Sequence, residues 1–212
     1  MKFFPFLYWL VSCFKIRPTV KKADPFLQEL GNRLLIVVFA FGQVEKKSHI
    51  GTPVYTRIFP GESNEALAEY VKDLWTQYPN AHFAIQWKVC DWITGEMNLK
   101  ARITRIHQHR EVDPKTGKPK YLDCQEIALQ ANDAHTALLT EVQHTSMVVS
   151  HEILVPRGVA LMQNLEYTAH VPPGLGQIPY CKDSTQPWCR SKWRFVPREI
   201  LARILYRLKG WI

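Results

Sequence analysis

Apolar side chains recur along this chain in two rhythms. Between Glu62 and Tyr78, Leu67, Tyr70, Val71, Leu74, Trp75 and Tyr78 fall at i, i+3, i+4, i+7, i+8 and i+11, which is one face of a helix. Ser63 or Asn64 can cap its start, Glu65 and Glu69 suit its positive end, and Pro79 stops it. Leu34 to Phe41 (LLIVVFAF) is instead an unbroken β-branched and aromatic run ending at Gly42, which predicts a buried strand, and Tyr55–Phe59 predicts a second.

Beyond the helix, Ala81–Cys90, Glu96–His107, Tyr121–Ala131 and Ala137–Ser150 are rich in Val, Ile, Thr and aromatics and read as strands. A charged turn over Asp113–Pro119 and a tighter one at Asn132-Asp133 separate them. Four successive strands with short connections predict an antiparallel meander, and the Glu62–Tyr78 helix is the element available to cover its apolar face. The expected class is therefore α+β. The prolines between Pro156 and Pro179 predict an extended linker. In the last stretch, Pro197–Ile212, residues Ile200, Leu201, Ile204, Leu205, Leu208 and Trp211 share one face, with Arg198, Arg203, Arg207 and Lys209 elsewhere. Such a basic amphipathic helix either docks on the domain or meets a membrane surface or acidic partner. Three segments result: a basic amphipathic N-terminal segment (1–22), the α+β domain (23–155), and a proline-rich linker with the C-terminal helix (156–212).

Composition narrows the class. In 212 residues, 46% hydrophobic and 22% charged side chains exclude a disordered tail protein, and the prolines and glycines follow no repeat. Residues 1–22 carry five basic side chains and no acid; residues 181–212 carry eight basic and two acidic ones. Within a total of +8 the middle is thus net −3. Basic ends around a slightly acidic core favour a membrane surface or another anionic partner touched by the termini, and disfavour nucleic acid as a partner.

The N-terminal run Phe3–Phe14 is too short to span a bilayer, but its Phe, Tyr and Trp content suits an interfacial segment or a first helix packed on the domain. Leu10-Val-Ser-Cys13 is similar to a bacterial lipoprotein cleavage box with Cys13 lipidated, although only Lys2 supplies the usual positive end. Five cysteines without a CxxC pair exclude zinc-ribbon spacing. Cys90 and Cys124 read as buried thiols in strands, and Cys181 and Cys189 could close a small loop in an oxidising compartment. Reduced cysteines in a cytoplasmic protein, peripheral to the inner membrane, are the expectation.

Among eight histidines, His107, His109 and Glu111 form an alternating row that lacks a fourth ligand, so a solvated hairpin end is expected there and no metal. Nothing singles out His135, His144 or His151 as a base. GxSxG, Walker A, GxGxxG and HExxH motifs are all missing, and Gly174-Leu-Gly176 is a lone GxG without a strand-to-helix setting.

Three stretches carry a resemblance: FPFLYWLVSCF; MNLKARITRIHQHR with YLDCQEIALQANDAHTALLTEVQHTSMVVS; and HVPPGLGQIPYCKDSTQPWCRSKW followed by a helix. Together they resemble large MaoC-like dehydratases, which act on acyl thioesters and carry two hotdog units, antiparallel sheets wrapped on one helix. The resemblance implies a hotdog-like sheet, homodimeric pairing, and binding of an acyl-CoA or acyl-ACP thioester, with a divergent or inactive hydratase/dehydratase (lyase) activity in lipid metabolism. Aligned on Pro187, the family's Asp, Asn and His positions hold Ser184, Gln186 and Cys189. The catalytic residues it implies are therefore His170 and Asp183 nearby, with Cys189 as an alternative nucleophile. No bound cofactor is implied; a coenzyme A thioester would be the substrate. The alternative is a non-enzymatic peripheral membrane or assembly protein acting through its basic termini.

Overall fold

Strand β1, Leu34–Val38, is buried at every position, and so are β4, His82–Gln86, and β6, Thr145–Val149. Strands covered on both faces belong in the middle of a parallel sheet. A computed structural model of the chain, describing residues 24–48, 55–59, 61–93, 102–117, 120–138, 144–175 and 178–212, has that arrangement. The N-terminal segment with Cys13, and the expectations attached to it, lies outside the described residues.

Five strands run parallel in the order β5-β4-β1-β6-β7, where β5 is Arg102–Ile106 and β7 is Thr168–His170. The edges are a charged strand with two exposed arginines and a three-residue strand, both poor templates for further pairing. A separate antiparallel hairpin, β2 (Val44–Ser48) with β3 (Tyr55–Phe59), follows β1. Six α-helices accompany the sheet among the described residues: α1 (Pro25–Glu29), α2 (Glu62–Gln77), α3 (Trp87–Cys90), α4 (Cys124–Thr136), α5 (Val155–Asn164) and α6 (Lys192–Leu208).

Register decides the layers. Leu35 pairs with His82 and Ser146, and Val37 with Ala84 and Val148, so these side chains share one face. Helices α4 and α5 cover it: Gly158 of α5 lies directly over Val148 and Phe39, and His135 of α4 approaches His82. The other face carries Ile36, Val38, Phe83, Ile85, Met147 and Val149, all buried. Right-handed connections leave α2 to cover it, with Leu67, Ala68, Val71 and Leu74 turned inward.

The fold is thus α/β, and the expected hotdog-like antiparallel meander is corrected. Tyr121–Ala131 is not a strand: Asp123 caps α4 by accepting a hydrogen bond from the Glu126 N–H, and Ile127, Ala128, Ala131 and His135 are buried at helical spacing. Asn132-Asp133 consequently lies inside a helix, and Cys124 is its first residue. The proline-rich stretch after Pro156 forms α5 and β7, so it completes the sheet instead of leaving it. The homodimer expected from hotdog pairing loses its basis with the fold.

Candidate functional site

In numbering by chain order within the sheet, the strands run 3-2-1-4-5. The chain leaves β1 toward β4 on one side and leaves β6 toward β7 on the other. Such a reversal opens a crevice at the carboxyl ends of the two strands, where ligands of open α/β sheets bind. Here the floor is stitched by Phe39 N–H to Val149 O (2.9 Å) and Ser150 Oγ–H to Phe39 O (3.0 Å). Above it lies a cavity of about 360 Å³, walled by Ala40–Gly42 after β1, the starts of α4 and α5, the 3₁₀ turn Pro187–Arg190, and α6.

The backbone after β1 has no donors to spare for a phosphate. Ala40 N–H donates to Gln86 Oε1 and Phe41 N–H to Asn64 Oδ1, both at 2.8 Å, while Asn64 Nδ2 donates to Gly42 O at 2.8 Å. A dinucleotide fold would use this turn for its pyrophosphate. The missing GxGxxG therefore has a structural counterpart, and recognition in this crevice falls to side chains.

Among the many apolar and aromatic side chains of the lining, the charged ones are mostly cations. Lys88, Arg157, Arg198 and Lys209 line the cavity. Lys88 Nζ donates to Gln43 Oε1, and burial brings its pKa down to about 8. The Arg198 guanidinium sits 3.7 Å from the Trp188 ring centroid, Arg157 lies 5.2 Å from that of Tyr206, and Lys209 Nζ 4.3 Å from that of Trp211. The two carboxylates at the wall, Asp123 and Glu199, are committed. Asp123 caps α4, and Glu199, 1% exposed, accepts from Arg203 Nε (2.9 Å) and faces Arg157 Nη2 (3.1 Å). Burial pushes the Glu199 carboxyl upward, while Arg157 and Arg203 pull it back. The N-terminus of α4 adds further positive potential.

Covalent chemistry finds little to work with. Burial pushes the Cys189 thiol up to about 12 and raises that of Cys124, so both are protonated at neutral pH and weak nucleophiles. Cys189 Sγ donates to Gln186 Oε1 at 3.4 Å.

Of the residues the sequence nominated, Cys189 lines the crevice. Asp183 is exposed and His170 ends the edge strand β7, and neither reaches the cavity lining. His107 and His109 lie beyond the end of β5, and the described residues hold no cluster able to bind a metal. His135 is a core residue at the opposite, amino-terminal end of the sheet, against Tyr167 Oη (3.1 Å) and Asn32 O (3.3 Å). Sequence reasoning missed Lys88, Arg157, Arg198 and Glu199. One signal was present: Glu199 and Arg203 stand at i, i+4, an ion-pair spacing on a helix.

No family model, no curated protein and no solved structure matches the chain.

Proposed function

We propose that the protein binds a small anionic ligand in the crevice between β1 and β6, and that it acts through binding more than through covalent catalysis. One observation carries this reading: Lys88, Arg198 and Lys209 converge on a cavity of about 360 Å³ whose two carboxylates are engaged elsewhere, Asp123 in capping α4 and Glu199 with Arg157 and Arg203. A phosphate or carboxylate would complete the charge of the site. The acyl-thioester expectation stood on a hotdog groove that this fold does not contain. Coenzyme A remains a useful probe because of its phosphates. The fold alone does not specify a reaction.

The four described cysteines are unbridged, which fits a cytoplasmic setting. No helix among the described residues is long and apolar enough to cross a membrane.

Thermal-shift titration of the full chain with inorganic phosphate, pyrophosphate, ATP, coenzyme A and acyl-coenzyme A tests the proposal. A ligand at a hundred times its dissociation constant adds about 2.7 kcal/mol, roughly 5–10 °C for a chain of this size. Arg198→Gln should abolish the shift. If none of these anions raises the melting temperature, or if Arg198→Gln leaves the shift intact, the crevice is not an anion site.

A further inference from the structure

Helix α6 is inside out. Its buried face is formed by Phe195, Glu199, Arg203 and Tyr206, with Glu199 and Arg203 each 1% exposed. Its outward face carries Trp193 (85% exposed), Leu201 (57%), Leu205 (47%) and Leu208 (78%). Arg194, Arg198, Arg207 and Lys209 stand exposed among and beside them, and Glu199, the helix's single acid, is buried.

We propose that this face docks on an anionic lipid bilayer, with Trp193 and the three leucines entering the headgroup–acyl boundary and the flanking cations meeting lipid phosphates. An apolar stripe bordered by Lys and Arg, with a tryptophan at one end, is the composition that interfacial helices use. Charge decides against the other occupants. A second copy seated symmetrically would set arginine against arginine with no carboxylate between them. The chain's own residues 1–22 carry five cations and no acid, so they repel the same face. An anionic bilayer supplies what both lack, at about 1 kcal/mol per cation near the surface.

Docking also gives the crevice an orientation. Arg198, Leu201, Ala202 and Leu205 line its rim as well as belonging to α6, so its mouth would open beside the headgroup layer. The docking itself stands apart from the identity of the crevice ligand.

The test is flotation of the full chain with phosphatidylcholine vesicles, with and without about one-third phosphatidylglycerol. Two double variants are compared with the parent, all at positions outside the crevice: Trp193→Gln with Leu208→Gln, and Arg194→Gln with Arg207→Gln. Their exposure makes loss of folding a minor concern, and circular dichroism checks it. The parent is expected to float with the anionic vesicles. The arginine pair should lower partition about 30-fold and the apolar pair at least about tenfold. Either pair floating as the parent does would overturn the proposal, as binding would then come from elsewhere in the chain. A parent that ignores both vesicle types overturns it too. If that parent also sediments as a dimer that Trp193→Gln with Leu208→Gln dissociates, the face is a self-interface. Anion binding measured without vesicles is a separate readout, so failure of docking is distinguishable from failure of the crevice.

Discussion

Glu199→Gln is the substitution whose cost the structure defines best. Glu199 and Arg203 are each 1% exposed and Arg157 is 12% exposed, so the carboxylate neutralises two guanidiniums that water barely reaches. Arg203 Nη2 also donates to Ile153 O (3.1 Å), which ties α6 to the loop before α5. Removing one member of such a buried group leaves an uncompensated charge and costs about 3–5 kcal/mol, whereas replacing the ion pair by apolar residues is often neutral. For a domain of this size that is a fall of roughly 6–20 °C in melting temperature. Glutamine keeps the shape and one acceptor oxygen, so the loss would be electrostatic and not a cavity effect. Urea unfolding followed by tryptophan fluorescence and by circular dichroism measures it. Combining Glu199→Met with Arg203→Met removes one of the two stranded cations and should recover part of the loss, Arg157 keeping its uncompensated charge. A cost of Glu199→Gln within about 1 kcal/mol of zero would refute the reasoning. So would a double variant no better than the sum of its parts, since the pair would then not be coupled.

Three further outcomes are expected. Lys88→Met should stabilise the unliganded protein by about 1–2 kcal/mol, because a shift from 10.5 to about 8 disfavours the charged amine by about 3 kcal/mol and the Gln43 hydrogen bond returns about 1. The same variant should weaken phosphate binding at least about tenfold, and parental affinity should fall as pH rises through about 8; calorimetry reads both. Burial brings His135 and His151 each down to about 4, so the unfolded chain takes up protons first. Stability is then full above about pH 6.5 and lost as pH falls toward 4, by about 2 kcal/mol per histidine at pH 5. Urea midpoints unchanged between pH 7 and pH 5 would contradict it. In Gly158→Ala the new methyl would lie 2.7 Å from Val148 Cγ1 and 3.1 Å from Phe39 Cε2. That should destabilise by about 1–3 kcal/mol, although alanine is the better helix former; a neutral result would show slack between α5 and β6.

Helix α2 falls where its periodicity put it, and strands β1 and β3 where their β-branched and aromatic runs did. The antiparallel expectation failed over a feature already visible in LLIVVFAF: a continuous apolar run marks a strand buried on both faces, and that is a parallel-sheet signature. Helix α4 was lost for a similar reason. Tyr121 ahead of the helix and Ile127 within it were given more weight than Asp123 and Glu126, whose D-x-x-E spacing announces a helix start. Once α4 is taken for a strand, β6 reads as its antiparallel neighbour, and the prolines at 156, 172 and 173 read as a linker. In fact Pro156 sits in the first turn of α5, where its missing N–H costs nothing. The crevice could not be read at all, because its cations come from α3, α5, α6 and the residue just after α6. Only the strand order brings those elements together.

The C-terminal helix carries the amphipathic pattern the sequence predicts, with its leucine stripe turned away from the core. Leu201, Leu205 and Leu208 do form a stripe, and amphipathic logic sends a stripe to the core. Instead the core takes Glu199 and Arg203, and the leucines face out. Turning α6 to bury three leucines and a tryptophan would be worth roughly 1.5–3 kcal/mol for each side chain. It would also strip Arg157 of its carboxylate and remove Phe195 from Phe41, whose ring centroids lie 4.9 Å apart. The ion-paired triad and the aromatic contact therefore hold the helix in an orientation that leaves apolar surface in water. Local rules are broken most often where function requires it. Phe195 and Glu199, which help lock α6 in this orientation, also wall the crevice, and Leu201 and Leu205 of the stripe form its rim, so the anion site and the lipid-facing stripe adjoin on one helix. A variant that relieved the exposed stripe by rotating α6 would be expected to lose anion binding with it.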